Sequence, residues 1–273
     1  MTVERIECAN DARAVAYRDL SDGELLRTRG LFVAEGRLVV RRIIENARYA
    51  VESVLVNDAA LRDLAPSFER LDSSVPVLVC RTVEFQQVTG FNIHRGCLAL
   101  VRRPTPMTLG SLISSAGLLV VLDGVANADN VGGVFRNAAA FDAGGVLLSP
   151  TTCDPLYRKA IRTSMGAALE VPFARVADAA WPTLAAELHA AGFTVVALTP
   201  RETSEALEAF AARPQPARLA LVIGSEGAGV TPALEAAADH RVRIPISGQV
   251  DSLNLAVAAG IALARLRGPA RRN

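Results

Sequence analysis

The chain has 273 residues, 51% hydrophobic and 21% charged, with a formal net charge of +1. That composition supplies ample core and excludes a disordered chain, and no run of about 18 uncharged apolar residues exists to span a membrane. The first twenty residues are interrupted by charges and lack the apolar centre of a signal peptide, which predicts a cytoplasmic protein. Cys8, Cys80, Cys97 and Cys153 form no CxxC pair, and with scattered His94, His189 and His240 they predict no metal site. Lys159 is the only lysine, so anion contacts fall to arginine forks. Near-neutral charge does not advertise nucleic-acid binding, and any positive surface must be local.

In chain order, β-branched runs alternate with amphipathic helical patterns, an α/β arrangement. A first section, residues 1–103, holds a helical pattern over Glu35–Arg48, a strand at Val51–Asn57 and a short helix around Asp58–Ala65. A strand at Val75–Cys80, a helix over Val83–Thr89 and a strand at Cys97–Val101 complete it. Residues 104–108 read as a linker, because Pro104 and Pro106 disfavour helix and central strand. A second section, 109–273, opens on the doubly buried strand Gly117–Gly124. Helix Asn130–Phe141, strand Gly144–Ser149, helix Trp181–Ala191, and strands Phe193–Leu198, Arg218–Gly224 and Arg241–Ile246 follow, before an apolar helix Leu253–Arg267. The basic tail, Arg265, Arg267, Arg271 and Arg272, reads as a solvated end or an RNA contact.

Three segments rich in Gly, Asn and Ser follow buried strands, at the sheet edge where α/β proteins bind ligands: Leu122–Phe141, Leu221–Val230 and Ile244–Leu263. No phosphate loop, dinucleotide fingerprint or serine-hydrolase elbow is present. What remains is a set of neutral polar groups with one arginine and one glutamate. Asn130 is either a helix cap or a ligand group. Gly132 and Gly133 weaken a helix start and so suggest close approach of a chain or ligand. Arg136 is a surface residue or reaches the same site. Glu226 sits among Gly224, Gly227 and Gly229 in a loop of unusual backbone angles. Ser252 and Asn254 either cap the last helix or serve the site.

These segments resemble the SpoU (TrmH) family of RNA ribose methyltransferases, in the SPOUT superfamily. The N-x-G-x-x-x-R core appears as Asn130-Val131-Gly132-Gly133-Val134-Phe135-Arg136. The G-x-E-x-x-G motif appears as Gly224 to Gly229. The third motif appears as Ile244-Pro245-Ile246 followed by Ser252-Leu253-Asn254. The first section is similar to the ribosomal-protein-like RNA-binding domain of many members, through GLFVAEGRLVVRRIIE and HRGCLALVRRP, with Arg95 where glutamine is usual.

The resemblance implies a parallel-sheet domain closed by a deep trefoil knot, a homodimer, and no metal. The implied reaction carries a methyl group from S-adenosylmethionine to an RNA ribose 2′-hydroxyl. Ribosomal RNA, most often of the large subunit, is favoured over tRNA by the N-terminal domain; a non-catalytic RNA-binding relative is the other alternative. Asn130, Arg136, Glu226, Ser252 and Asn254 carry the chemistry by this reading. The donor would rest against Leu198, Thr199, Ile223, Gly224, Ser225, Glu226, Gly227, Ile244, Ile246, Ser252 and Leu253. RNA would meet Arg37, Arg41, Arg42, Arg102, Arg103 and Arg136. A guanidinium stays protonated far above neutral pH, so Arg136 is expected to bind a phosphate and stabilise the forming alkoxide rather than act as base.

Overall fold

A computed structural model of the chain describes residues 2–7, 11–18, 21–46, 48–89 and 96–267. Cys8, His94, Arg95, Arg271 and Arg272, singled out above, lie outside them. The chain forms two compact units, one of residues 1–105 with 156–166 and one of residues 106–155 with 167–273. The segment 156–166, inside the span expected for the second domain, thus groups with the first. Asp22 Oδ2 accepts from the Arg158 backbone N–H at 2.8 Å, and the Arg42 guanidinium donates to the Met165 carbonyl at 3.0 Å. Arg162 pairs with the buried Glu35 carboxylate at 3.5 Å.

The first unit runs β1 (Thr2–Arg5), α1 (Val15–Arg18), α2 (Asp22–Glu24), β2 (Leu31–Glu35), α3 (Arg37–Glu45), β3 (Val51–Val56), α4 (Asp58–Phe68), β4 (Pro76–Val79), α5 (Thr82–Thr89) and β5 (Cys97–Arg102). Its mixed sheet has the order β1-β4-β3-β5-β2, with β5 antiparallel to both neighbours. Glu35, expected to open a helix, ends β2 instead. The N–H of Gly36 extends the ladder to the Cys97 carbonyl at 3.0 Å, and its φ of 99° turns the chain before α3 begins. Extended backbone at Asn46 stops α3 short of Arg48.

The second unit runs α6 (Leu109–Ser115), β6 (Leu118–Asp123), α7 (Ala128–Ala140) and β7 (Gly145–Leu148). After α8 (Arg158–Thr163), which belongs to the first unit, come β8 (Phe173–Arg175), α9 (Leu184–Ala190), β9 (Thr194–Leu198), β10 (Glu205–Ala206), α10 (Leu207–Ala211), β11 (Leu219–Gly224), α11 (Pro232–Ala237), β12 (His240–Arg243) and α12 (Leu255–Leu266). Every pairing is parallel, in the order β10-β12-β9-β11-β6-β7-β8. The central strands are buried on both faces, as their unbroken apolar runs require. The strand expected over Arg241–Ile246 stops at Arg243, since Pro245 has no N–H for a ladder. Among the described residues, no helix is long and apolar enough to cross a membrane.

Helix α7 is capped by Asn127, whose side chain accepts from the Asp129 N–H at 2.8 Å; Asn130 lies one turn inside and is buried. The cost of glycine at Gly133 has a direct cause. A Cβ placed there would lie 2.5 Å from the Cβ of Ala256, so α12 presses against α7 at that point. Asn137 Nδ2 reinforces the contact by donating to the Ala256 carbonyl at 2.7 Å. Gly133→Ala is therefore expected to lower stability by about 1–3 kcal/mol, because overpacking outweighs the gain in helix propensity. Gly260→Ala, where the added Cβ meets only the side chain of Asn137 at 3.1 Å, should cost less. Urea denaturation midpoints of the two variants check that order.

Candidate functional site

The parallel sheet delivers the three polar segments to one edge. The loops after β9, β11 and β12 follow adjacent strands, and α7 springs from the end of the next strand, β6. The loop after β11 folds back on itself, with Ser225 and Gly229 exchanging backbone hydrogen bonds at 3.2 and 2.9 Å. A Cβ at Gly224 would fall 1.9 Å from the Gly229 carbonyl carbon, so only glycine permits this fold-back, which leaves Glu226 at an exposed tip. The far end of the loop is tied by Asp123, a buried carboxylate at the end of β6 whose Oδ2 accepts from the Thr231 N–H at 2.7 Å.

One amide joins all three segments. Asn254 caps α12, its Oδ1 accepting from the N–H groups of Ala256 and Val257 at 3.0 and 3.3 Å. Those groups can only donate, so the Asn254 oxygen faces them and its nitrogen faces away from the helix. That nitrogen donates to Asn130 Oδ1 at 2.9 Å and to Glu226 Oε1 at 3.3 Å. Asn254 thus caps α12 and also bonds to Asn130 and Glu226. Asn130, its oxygen occupied, keeps Nδ2 as a donor.

Arg136 is not part of this cluster. It is exposed on α7, and together with Arg265 it makes no hydrogen bond or ion pair with the described residues of its unit. The other arginines there are engaged: Arg201 with Glu235 at 3.0 Å, Arg175 and Arg218 with backbone carbonyls, Arg267 with Asp142 and the Phe141 carbonyl. Ser252 is exposed and bonds to neither Asn130 nor Arg136.

In the first unit, Arg37 and Arg41 share the Asp63 carboxylate at 3.8 and 3.5 Å, Arg102 pairs with Glu52, and Arg103 is half-buried. Exposed pairs of this kind contribute at most about 1 kcal/mol, so they can be exchanged for a phosphate.

Thr199 is held by its N–H to the Val242 carbonyl at 2.9 Å. Leu198 and Leu253 are half-buried, the Ile223 side chain is buried in the core, and Ile246 is 37% exposed at the same edge. Among the described residues no cluster could hold a metal ion. Cys80 and Cys97 are buried, and burial pushes the Cys97 thiol up, away from thiolate chemistry. Two contributors escaped sequence reading: Asp123, which looks like the last residue of an ordinary strand, and Asn137, the residue directly after the Asn130–Arg136 motif.

The profile of the SpoU rRNA Methylase family matches residues 117–264. An uncharacterised tRNA/rRNA methyltransferase of Mycobacterium bovis is 37% identical over 257 residues, covering 93% of this chain and 88% of the relative. The fold is similar to that of an rRNA methyltransferase from Sinorhizobium meliloti, with a TM-score of 0.81 at 23% identity, covering 98% of each chain. An AdoMet-bound rRNA methyltransferase structure from that organism has a TM-score of 0.79 at 25% identity, covering 97% of each chain.

Replacement of Asn254 by aspartate separates its two tasks. Asn254→Asp keeps the cap acceptor but loses the donor and places a carboxylate beside Glu226. Thermal stability should hold to within about 1 kcal/mol, while turnover falls by at least about tenfold for the lost hydrogen bond. A melting curve and a methyl-transfer assay on the same preparation measure both.

Proposed function

The chain belongs to the SpoU rRNA methylase family and is an S-adenosylmethionine-dependent RNA methyltransferase; from that premise we propose that it methylates a ribose 2′-hydroxyl. The favoured substrate is ribosomal RNA of the large subunit, in the cytoplasm. The observation that carries the reading is the cross-linked cluster Asn130–Asn254–Glu226 beside an exposed Arg136 on the same helix as Asn130, which makes no hydrogen bond or ion pair with the described residues of its unit.

Bound S-adenosylmethionine supplies a sulfonium-activated methyl group, which needs no further activation by the protein. The loops at Leu198–Thr199, Ile223–Gly227 and Ile244–Ile246, with Ser252 and Leu253, hold the donor through backbone groups and apolar surface. The remaining work is on the acceptor. Holding the hydroxyl in line with the methyl group supplies several kcal/mol by proximity alone. Asn130 orients the hydroxyl through its free Nδ2, and Asn254 fixes Asn130. Arg136 clamps the phosphate beside the target ribose and stabilises negative charge on the oxygen as it takes the methyl group, its proton passing to water and the donor leaving as the neutral thioether. Glu226 orders its loop by accepting from Asn254.

The domain division at residues 104–108 gives this function two parts: an N-terminal section contacting RNA through Arg37, Arg41, Arg42, Arg102 and Arg103, and a catalytic section whose C-terminal path is knotted. Dimerisation is supported by three exposed apolar side chains around the third motif, Ile246, Val250 and Val257, the last two 55% and 53% exposed.

Methyl-labelled S-adenosylmethionine and unmodified total RNA test the substrate. Label in a large ribosomal fragment, released as a 2′-O-methyl nucleoside, is the expected result. Label confined to tRNA would overturn the substrate, and donor binding with no label in free RNA or ribosomal particles would overturn the enzyme reading. Arg136→Lys keeps the charge but loses the fork, and should lower turnover roughly 10- to 100-fold. Near-normal turnover would exclude a bidentate clamp.

A further inference from the structure

Sheet order separates the two sides of the site. The donor loops follow β12, β9 and β11, while the acceptor groups Asn130 and Arg136 ride on α7, which follows β6. The next strand outward is β7, on the acceptor side. Its loop, residues 149–154, belongs to none of the three motifs, yet it is bonded to the turn from which α7 starts. Ser149 Oγ accepts from the Gly124 N–H at 2.8 Å, Thr152 Oγ1 from the Val125 N–H at 3.3 Å, and the Val125 carbonyl accepts from the Cys153 N–H at 2.9 Å. Ser149 and Thr152 are buried, and their hydroxyls lie 2.8 Å apart.

The directions of these bonds leave one hydroxyl over. Thr152 donates its proton to the Leu122 carbonyl at 2.9 Å, so Ser149 must donate to Thr152. Thr151, at the exposed apex between them, has only a long 3.4 Å contact to Ser149 Oγ. It stands across Gly124 from the donor loop: a Cβ at Gly124 would be 3.8 Å from Thr151 Oγ1 and 3.9 Å from Ser225 Cβ. From outside both turns, Arg175 on β8 gathers the loop, one guanidinium nitrogen donating to the carbonyls of Ser149, Pro150 and Thr152 at 2.8, 3.1 and 2.7 Å. Asp154 balances its charge at 3.7 Å.

We infer that the 149–154 loop is a fourth wall of the site, where Thr151 donates a hydrogen bond to a phosphate oxygen of the RNA strand beside the target nucleotide and Arg175 is the positioning residue that holds it there. The inference rests on the RNA-methylation reading given above. Arg175 spends its donors on backbone carbonyls and acts only through the loop.

The test uses the full chain with the RNA that the wild-type protein methylates; a wild type that methylates none would defeat the reading of function and not this assignment. Thr151→Val removes the hydroxyl and keeps the shape. It should raise the KM for RNA about tenfold while kcat and the donor Kd stay within about twofold. Arg175→Met should raise the RNA KM similarly, and Arg175→Lys, which restores three donors, should recover part of the loss. The Thr151→Val, Arg175→Met double variant should be no worse than the poorer single, because both changes remove the same contact. An unchanged RNA KM for Thr151→Val overturns the contact. Additive losses, or an Arg175→Met effect confined to melting temperature or donor affinity, overturn the positioning role.

Discussion

The site depends on one neutral amide. Asn254 stands at the start of α12, where backbone geometry forces its oxygen toward the helix and its nitrogen toward Asn130 and Glu226. A charged side chain could not do this as well. A carboxylate would cap but not donate, and an ammonium would donate but not cap. Because α12 is pressed onto α7 at Gly133, the cap of one helix and the first turn of the other have a fixed separation. Close helix packing thereby fixes the Asn130–Asn254 contact.

Around that point the loops after β9, β11 and β12 carry mostly backbone, glycine, aliphatic and small polar groups, with Glu226 as the one carboxylate bonded to Asn254. Arg136 is exposed on α7, while the other described arginines of the unit, Arg265 apart, spend their donors on carboxylates and carbonyls. A protein with a net charge of +1 can still offer a phosphate a concentrated positive group if its remaining arginines are neutralised internally. The arginines of the first unit follow a looser version of the same arrangement, sharing Asp63 and Glu52 in surface pairs that an RNA backbone can displace.

Strongly periodic elements were legible without coordinates. The runs of β6, β9 and β11 are too apolar to face water on either side, and the residues ending them could only lie at a sheet edge. Some short pieces were not legible. β8 and β10 have three and two residues and α11 six, and none sits in a longer apolar run of the kind that made the four-residue β7 legible. Glu35 was misplaced because LFVAE is buried along nearly its whole length, so it lacks the alternation that distinguishes a strand from the helix after it.

The sequence by itself determined the α/β class, the edge where the chemistry gathers, and the residue types that gather there, because buried strands, glycine-rich turns and helix caps are local properties. It left Asn130 and Asn254 each suspended between cap and ligand. Only the tertiary structure decided that Asn127 caps α7, that Asn254 caps α12 while bonding to Asn130 and Glu226, and that Arg136 stands apart. The caps are local, but the Asn254–Asn130 bond joins residues 124 apart in the chain and the Asn254–Glu226 bond residues 28 apart. Such partnerships are set by helix packing and strand order, which leave no trace in the spacing of neighbouring residues.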